Sequence, residues 1–322
     1  MRRFTISAVL AAGLAFGVAT TTSLGQGVKP FRIGTGGGAV TSSAIGGIIA
    51  RSVSNPPALV VSAVASNGSI ADVDAISRGQ LESALSQADV VYWAFTGTEA
   101  FEGKPKAEEL RAIANLYPDS IHLVVRKGAG ISAVGDLRGK RVSLDERESG
   151  TAADARLVLA VWGVKETDLR PEYINLEQTI QKMKDGALDA FFHVGGYPTP
   201  AIAELAAGSE IDLVPIDGAN AEKLRGDYKF LARDEIPANT YKGVAAGVRT
   251  LSVGALWITS AKVDAEIVYQ VTKGLWSART RQALDADHPK GKAIQEKDAL
   301  IGVGIPIHAG AEKFYREAGL LK

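Results

Sequence analysis

The chain has 322 residues, 36 basic and 36 acidic side chains, a hydrophobic content of 46% and no cysteine. Net neutrality leaves no basic footprint for nucleic acid or an anionic membrane surface. Without cysteine there are no disulfides, thiolate metal sites, thiol nucleophiles or cysteine-linked lipids.

The first predicted element is a secretory leader. Met1-Arg2-Arg3 is followed by an uncharged run from Phe4 to Ala19 and by small residues at Ser23 and Gly25. A basic start, an apolar middle and small residues at the cut predict a signal peptide over residues 1–25 with cleavage before Gln26, and hence a periplasmic protein. No later apolar run reaches the length of a membrane span, so the exported chain is expected not to cross the membrane.

Short apolar runs then alternate with helical stretches, which predicts an α/β architecture. The expected strands are Phe31–Gly34, Leu59–Val64, Val90–Phe95, Ile113–Leu116, Ile121–Arg126, Arg141–Leu144, Glu172–Ile174, Ala190–Val194, Ile211–Ile216 and Gly254–Thr259. Helices are expected through Ile70, Val73 and Ile76, through Leu157, Val158 and Val161, over Thr179–Lys184 and over Ala265–Ala278. If the strands at Ile121–Arg126 and Gly254–Thr259 pair as a hinge, residues 121–244 form one lobe, and residues 26–120 with 245–322 form the other.

The first turn, Gly34-Thr35-Gly36-Gly37-Gly38-Ala39, fits a dinucleotide-binding fingerprint in its strand–turn–helix setting. That fingerprint also needs a carboxylate at the end of the second strand, where this chain has Ala65-Ser66-Asn67-Gly68. A nucleotide cofactor is therefore not expected, and no other cofactor is indicated. The turn fits a helix N-terminus whose free amides face an anion.

Three further turns share this chemistry: Ser66-Asn67-Gly68-Ser69, Ser149-Gly150-Thr151 and Gly195-Gly196-Tyr197. Each one alone reads as ordinary capping. Together they predict a cleft that grips a small polar ligand. Gly37, Gly38, Thr41, Ser42, Ser66, Asn67, Gly68, Ser69 and Gln87 are expected from one side, and Ser149, Gly150, Thr151, His193 and Gly195 from the other. The four histidines lack metal-ligand spacing and no HExxH or GxSxG motif occurs, so an enzyme is disfavoured. His122 reads as a core or hinge residue, His308 as a loop residue, and Trp93 as core.

Several blocks in order resemble the TAXI group, the substrate-binding receptors of tripartite ATP-independent periplasmic (TRAP) transporters. They are Ile33-Gly34-Thr35-Gly36-Gly37, Ser86-Gln87-Ala88-Asp89-Val90, Leu110-Arg111-Ala112-Ile113-Ala114-Asn115-Leu116-Tyr117-Pro118, Asp136-Leu137-Arg138-Gly139-Lys140, Ser149-Gly150-Thr151 and Ile305-Pro306-Ile307-His308-Ala309-Gly310. The resemblance implies a type II periplasmic-binding-protein fold, two α/β lobes joined by a hinge. It also implies a small organic anion as ligand, of the glutamate or 2-oxoglutarate kind, and TRAP membrane permease subunits as partners. The chain departs from the group at Ser42-Ser43-Ala44, where tyrosines and a proline are usual. It departs again at Asp145-Glu146-Arg147-Glu148, where the approach to Ser149 is usually glycine-rich. Acidic residues facing the cleft there would oppose a dianion. A periplasmic sensory module is the alternative from another class, separated from transport by what docks on the closed lobes.

Overall fold

The computed structural model describes residues 30–37 and 40–322. The leader reading and Gly38 lie outside these residues. The first half of the sheet starts with β1 (Pro30–Gly34), α1 (Thr41–Val53), β2 (Val60–Val64), α2 (Ser69–Ser77), β3 (Ser83–Gln87) and α3 (Ala88–Thr96). The long strand β4 (Leu110–Arg126) then carries the chain into the second half.

That second half holds β5 (Arg141–Ser143), α4 (Gly150–Val161), β6 (Arg170–Glu172), α5 (Leu176–Lys184), β7 (Ala190–Gly195), α6 (Pro200–Gly208), β8 (Ile211–Leu213), α7 (Gly218–Asp227) and β9 (Ala232–Ile236). A second long strand, β10 (Val248–Ser260), returns, and α8 (Ala265–Leu275), α9 (Ala278–Asp287) and α10 (Ala309–Glu317) close the chain on the first half.

The strand order is β2-β1-β3-β10-β4-β7-β5-β6, with β8 on β4 and β9 on β10. β1 runs parallel to β2 and β3, and β5 runs parallel to β6 and β7. Only β4 and β10 belong to both halves. Their antiparallel register sets Gly254 against Pro118 and Ser252 against Ser120, and it shifts between Ala255 and Leu256 and again between Trp257 and Ile258.

Separate cores flank the sheet. Phe31, Ile33, Ile45, Ile49, Tyr117, Trp257 and Tyr315 pack one face of the first half; Ile70, Val73, Trp93, Ile113-adjacent Ala112 and Leu256 pack the other. In the second half, Ile121, Val142, Val158 and Phe192 form one core, and Val124, Phe191, Ile202 and Tyr241 the other.

Several expected elements need correction. Val90–Phe95 is helix, not strand: Val90, Val91 and Ala94 are buried at helical spacing, and Gly97 ends α3 with φ 73°. The strand precedes it as Ser83-Ala84-Leu85-Ser86-Gln87, buried at every position. Small residues suit it because it is covered on both faces. Ile113–Leu116 and Ile121–Arg126 are parts of one strand. The paired runs are Arg111–Pro118 with Gly254–Thr259, whereas Ile121–Val125 pairs with β7, so the two strands expected to face each other do not. The helix expected over Ala265–Ala278 breaks at Trp276–Ser277, where the Ser277 hydroxyl oxygen accepts the Thr280 N–H at 3.3 Å and starts α9. The charged strand β9, Ala-Arg-Asp-Glu-Ile, carries too little apolar alternation to be foreseen.

Candidate ligand-binding site

A cavity of about 80 Å³ lies where the two halves meet, which is space for about six waters. Five helices start at its wall. Thr41 and Ser42 open α1, Gly68 and Ser69 open α2, Gln87 precedes α3, Ser149 to Thr151 open α4, and Asn175 and Leu176 open α5. Each N-terminus presents free amides and about half a positive charge. Gly37, Asn67, His193 and Gly195 also line the cavity. Ser66 does not. Its Oγ accepts the Gly36 N–H at 2.8 Å and donates to Asp72 at 3.0 Å, bracing the first turn from behind.

Much of the hydroxyl chemistry at the wall is already engaged. Thr41 Oγ1 donates to the Gly196 carbonyl across the halves at 2.5 Å, and Ser42 Oγ donates to the Thr35 carbonyl at 2.6 Å. Gln87 Nε2 donates to Asp154 of α4 at 2.6 Å. The halves touch closely: a side chain at Gly68, which has φ 98°, would abut Ser149, and one at Gly150 would overlap the Gln87 amide. Those two glycines allow the N-termini of α2 and α4 and the end of β3 to meet.

Tyr117 and Asp119 of β4 and Asp145 also face the cavity. Burial raises the Asp119 carboxyl to about 7 against the pull of nearby Lys290, and raises Asp145 to about 6. Burial lowers His193 to about 3 and His122 to about 4, so both imidazoles are neutral. His122 bonds the Ser120 carbonyl through Nδ1 at 2.8 Å and takes the Tyr241 hydroxyl on Nε2 at 3.1 Å, a core role. His308 caps α10, accepting the Gly310 N–H on Nδ1 at 3.1 Å. Trp93 is buried in the first-half core. Two buried polar atoms at the cavity wall, Tyr117 Oη and His193 Nε2, have no partner among the described residues.

Among the described residues, no lysine or arginine lines the cavity. Arg147 stacks its guanidinium on Tyr173 at 3.5 Å, and Lys290 lies over the Tyr197 ring at 3.8 Å. Among the described residues, no group of three His, Asp or Glu side chains is placed to hold a metal. Nor is any helix among them long and apolar enough to cross a membrane. The sequence singled out the hydroxyl turns but not Tyr117, Asp119 or Asn175. Asn175 was readable as a cap before α5, where its Oδ1 accepts the Gln178 N–H at 3.0 Å. Tyr117 and Asp119 reach the cavity only because β4 runs unbroken between the halves.

This architecture is a type II periplasmic-binding-protein fold, the fold of solute-binding proteins. A protein of Bordetella bronchiseptica RB50 shares it at TM-score 0.54 with 14% identity, over 91% of this chain and 89% of that one. The binding protein of an ABC phosphonate transporter from Pseudomonas aeruginosa matches at TM-score 0.51 with 10% identity, over 82% and 79%. The ligand-binding component of an ABC-type import system from Staphylococcus aureus matches at 0.50 with 10% identity, over 91% and 93%. Residues 33–319 match the model of the NMT1-like family, and the chain belongs to that family.

Proposed function

We propose that the chain is an extracytoplasmic solute-binding receptor of the TAXI type that captures a small carboxylate-bearing organic anion by cleft closure and delivers it to TRAP permease subunits. The observation that carries this reading is the convergence of five helix N-termini on one small cavity between two halves joined by β4 and β10. Oriented amides hold a carboxylate without a formal countercharge. In this reading residues 26–120 with 245–322 act as one lobe and 121–244 as the other. Cavity residues from both close on the solute, and the closed surface is what the permease recognises. Residues 1–25 serve as the leader that brings the protein to the periplasm.

The test is a thermal-shift screen of residues 26–322 against small organic acids, keto acids and amino acids. A binder at about 100 times its Kd stabilises the fold by about 2.7 kcal/mol, a rise of several degrees in Tm. A panel in which nothing raises Tm would remove the receptor reading.

A further inference from the structure

The N-terminus of α4 opens on the cavity in the second half, and a carboxylate of the chain itself, that of Asp145, shares the wall with it. Ser149 Oγ accepts the Ala152 N–H at 3.0 Å, and Thr151 Oγ1 accepts the Val194 N–H at 3.1 Å. Each hydroxyl therefore has its proton left to give, and Ser149, Thr151 and Asp145 line the cavity together. Asp145 adopts φ 68°, a left-handed conformation uncommon for a side-chain-bearing residue, and its Oδ1 also accepts the Glu146 N–H at 2.9 Å. Glu146 and Asp119 share the cavity wall with it. The two nearby cations lie over aromatic rings, Arg147 on Tyr173 and Lys290 on Tyr197, and Lys290 pulls on Asp119. Tyr117 Oη and His193 Nε2 are left as buried polar atoms awaiting a partner.

We infer that Asp145 is a specificity-determining residue: it sets a carboxylate on the cavity wall beside the α4 N-terminus, so the solute presents an ammonium or amide N–H, and not a second carboxylate, to the second half. This rests on the receptor reading above and narrows it. The solute's own carboxylate goes to the first-half amides, and its donor end meets Asp145, with Asn175 and His193 beside it. A dicarboxylate in the same place would set its second charge against Asp145 and Glu146, with no lysine or arginine of the described residues on the wall beside them, which a low-dielectric cavity penalises strongly.

The experiment is calorimetric titration of residues 26–322 at pH 7.5 with small organic acids in three groups: dicarboxylates, ammonium carboxylates and amide carboxylates. The expected hits are ammonium or amide carboxylates, with dicarboxylates at least tenfold weaker. Asp145→Asn keeps the shape and tolerates the backbone, and it should shift that ratio at least tenfold toward dicarboxylates. Asp145→Gly, which suits the left-handed backbone and removes the carboxylate, should shift it in the same direction. Dicarboxylates binding the unaltered protein best, with the ratio unmoved in both variants, would overturn the role of Asp145 and leave the receptor reading standing. No binding of any group to any of the three proteins would overturn both.

Discussion

Ser66 and Gly150 show how differently two residues from look-alike turns can act. Ser66 Oγ accepts two partly buried backbone N–H groups, of Gly36 and Gly68, and donates to a carboxyl, Asp72, that burial has raised to about 7. Ser66→Ala strands these partners and should cost about 1–3 kcal/mol of stability, read by urea unfolding. Because Ser66 is absent from the cavity wall, solute affinity at a temperature where the variant is folded should stay within about twofold. A larger loss of affinity than of stability would put Ser66 back at the ligand. Gly150→Ala acts in the opposite way. Its methyl would displace the Gln87 amide, which then loses Asp154. A hydrogen bond to a buried carboxyl is worth about 1.5–3 kcal/mol, so a receptor that binds in the closed form should lose at least tenfold in affinity by calorimetry. Unchanged affinity would mean that the Gln87–Asp154 tie plays no part in closure.

At the scale of elements, α3 and α4 meet through two carboxyls. Asp89 opens α3 and Asp154 sits in the first turns of α4; both are fully buried, and burial raises both, Asp154 well above 3.8. Asp89 Oδ2 and Asp154 Oδ1 have no other partner, while the surrounding groups are Gln87 Nε2, the Val90 N–H and, further off, the Asp119 charge. Two carboxyls so placed share a proton, as like charges that cannot both ionise must. The unfolded chain gives up that proton near pH 4 and the folded chain retains it to higher pH. The associated stability is therefore complete below about pH 4 and is lost as pH rises through the raised value. His122 and His193 act in the opposite sense, costing stability as pH falls below about 6.5. The comparison that isolates the pair is therefore between two proteins. From pH 5.5 to 8, Tm should fall further in the unaltered chain than in Asp154→Asn, whose amide supplies the hydrogen permanently. Parallel pH profiles would show that the pair carries no shared proton.

α3 also marks the limit of what was legible in sequence. β7 was readable because burial on both faces demands apolar residues, with Phe191 in one core and Phe192 in the other. β3 was not, since Ser83, Ala84 and Ser86 fit between covering layers without an apolar signature, and the run after it took the strand reading. The hydroxyl turns were readable as helix starts because capping is local chemistry. Which of those hydroxyls remain free was not, because Thr41 spends its proton on Gly196, 155 residues away. The same holds for Asp145, whose acidic neighbours were visible in sequence while its place on the cavity wall beside α4 comes only from the fold.

For the whole molecule, the question is whether the two halves move as bodies about β4 and β10. Away from the cavity, their contact includes an aromatic cluster. Trp93 of α3 meets Phe230 edge-on at 5.5 Å and Tyr228 at 6.4 Å, Tyr92 lies 6.4 Å from Phe230, and Tyr228 Oη donates to Glu99 at 3.1 Å. Residues 228–230 lead into β9 of the second half, so any separation of the halves pulls this cluster apart. Trp93 is 2% exposed here; opening wets its indole and shifts its emission to the red. Adding a solute that binds should therefore produce a blue shift, and Trp93→Phe should remove most of it, because Trp257 and Trp276 pack with the core of the first half and Trp162 with that of the second. Phe230→Ala takes away an edge-on pair worth about 0.5–1.5 kcal/mol beyond its buried area. It favours the open form and should weaken binding by about two- to tenfold without touching the cavity. An undiminished blue shift in Trp93→Phe, together with full affinity in Phe230→Ala, would mean that this contact is kept in both states and that the halves do not separate there.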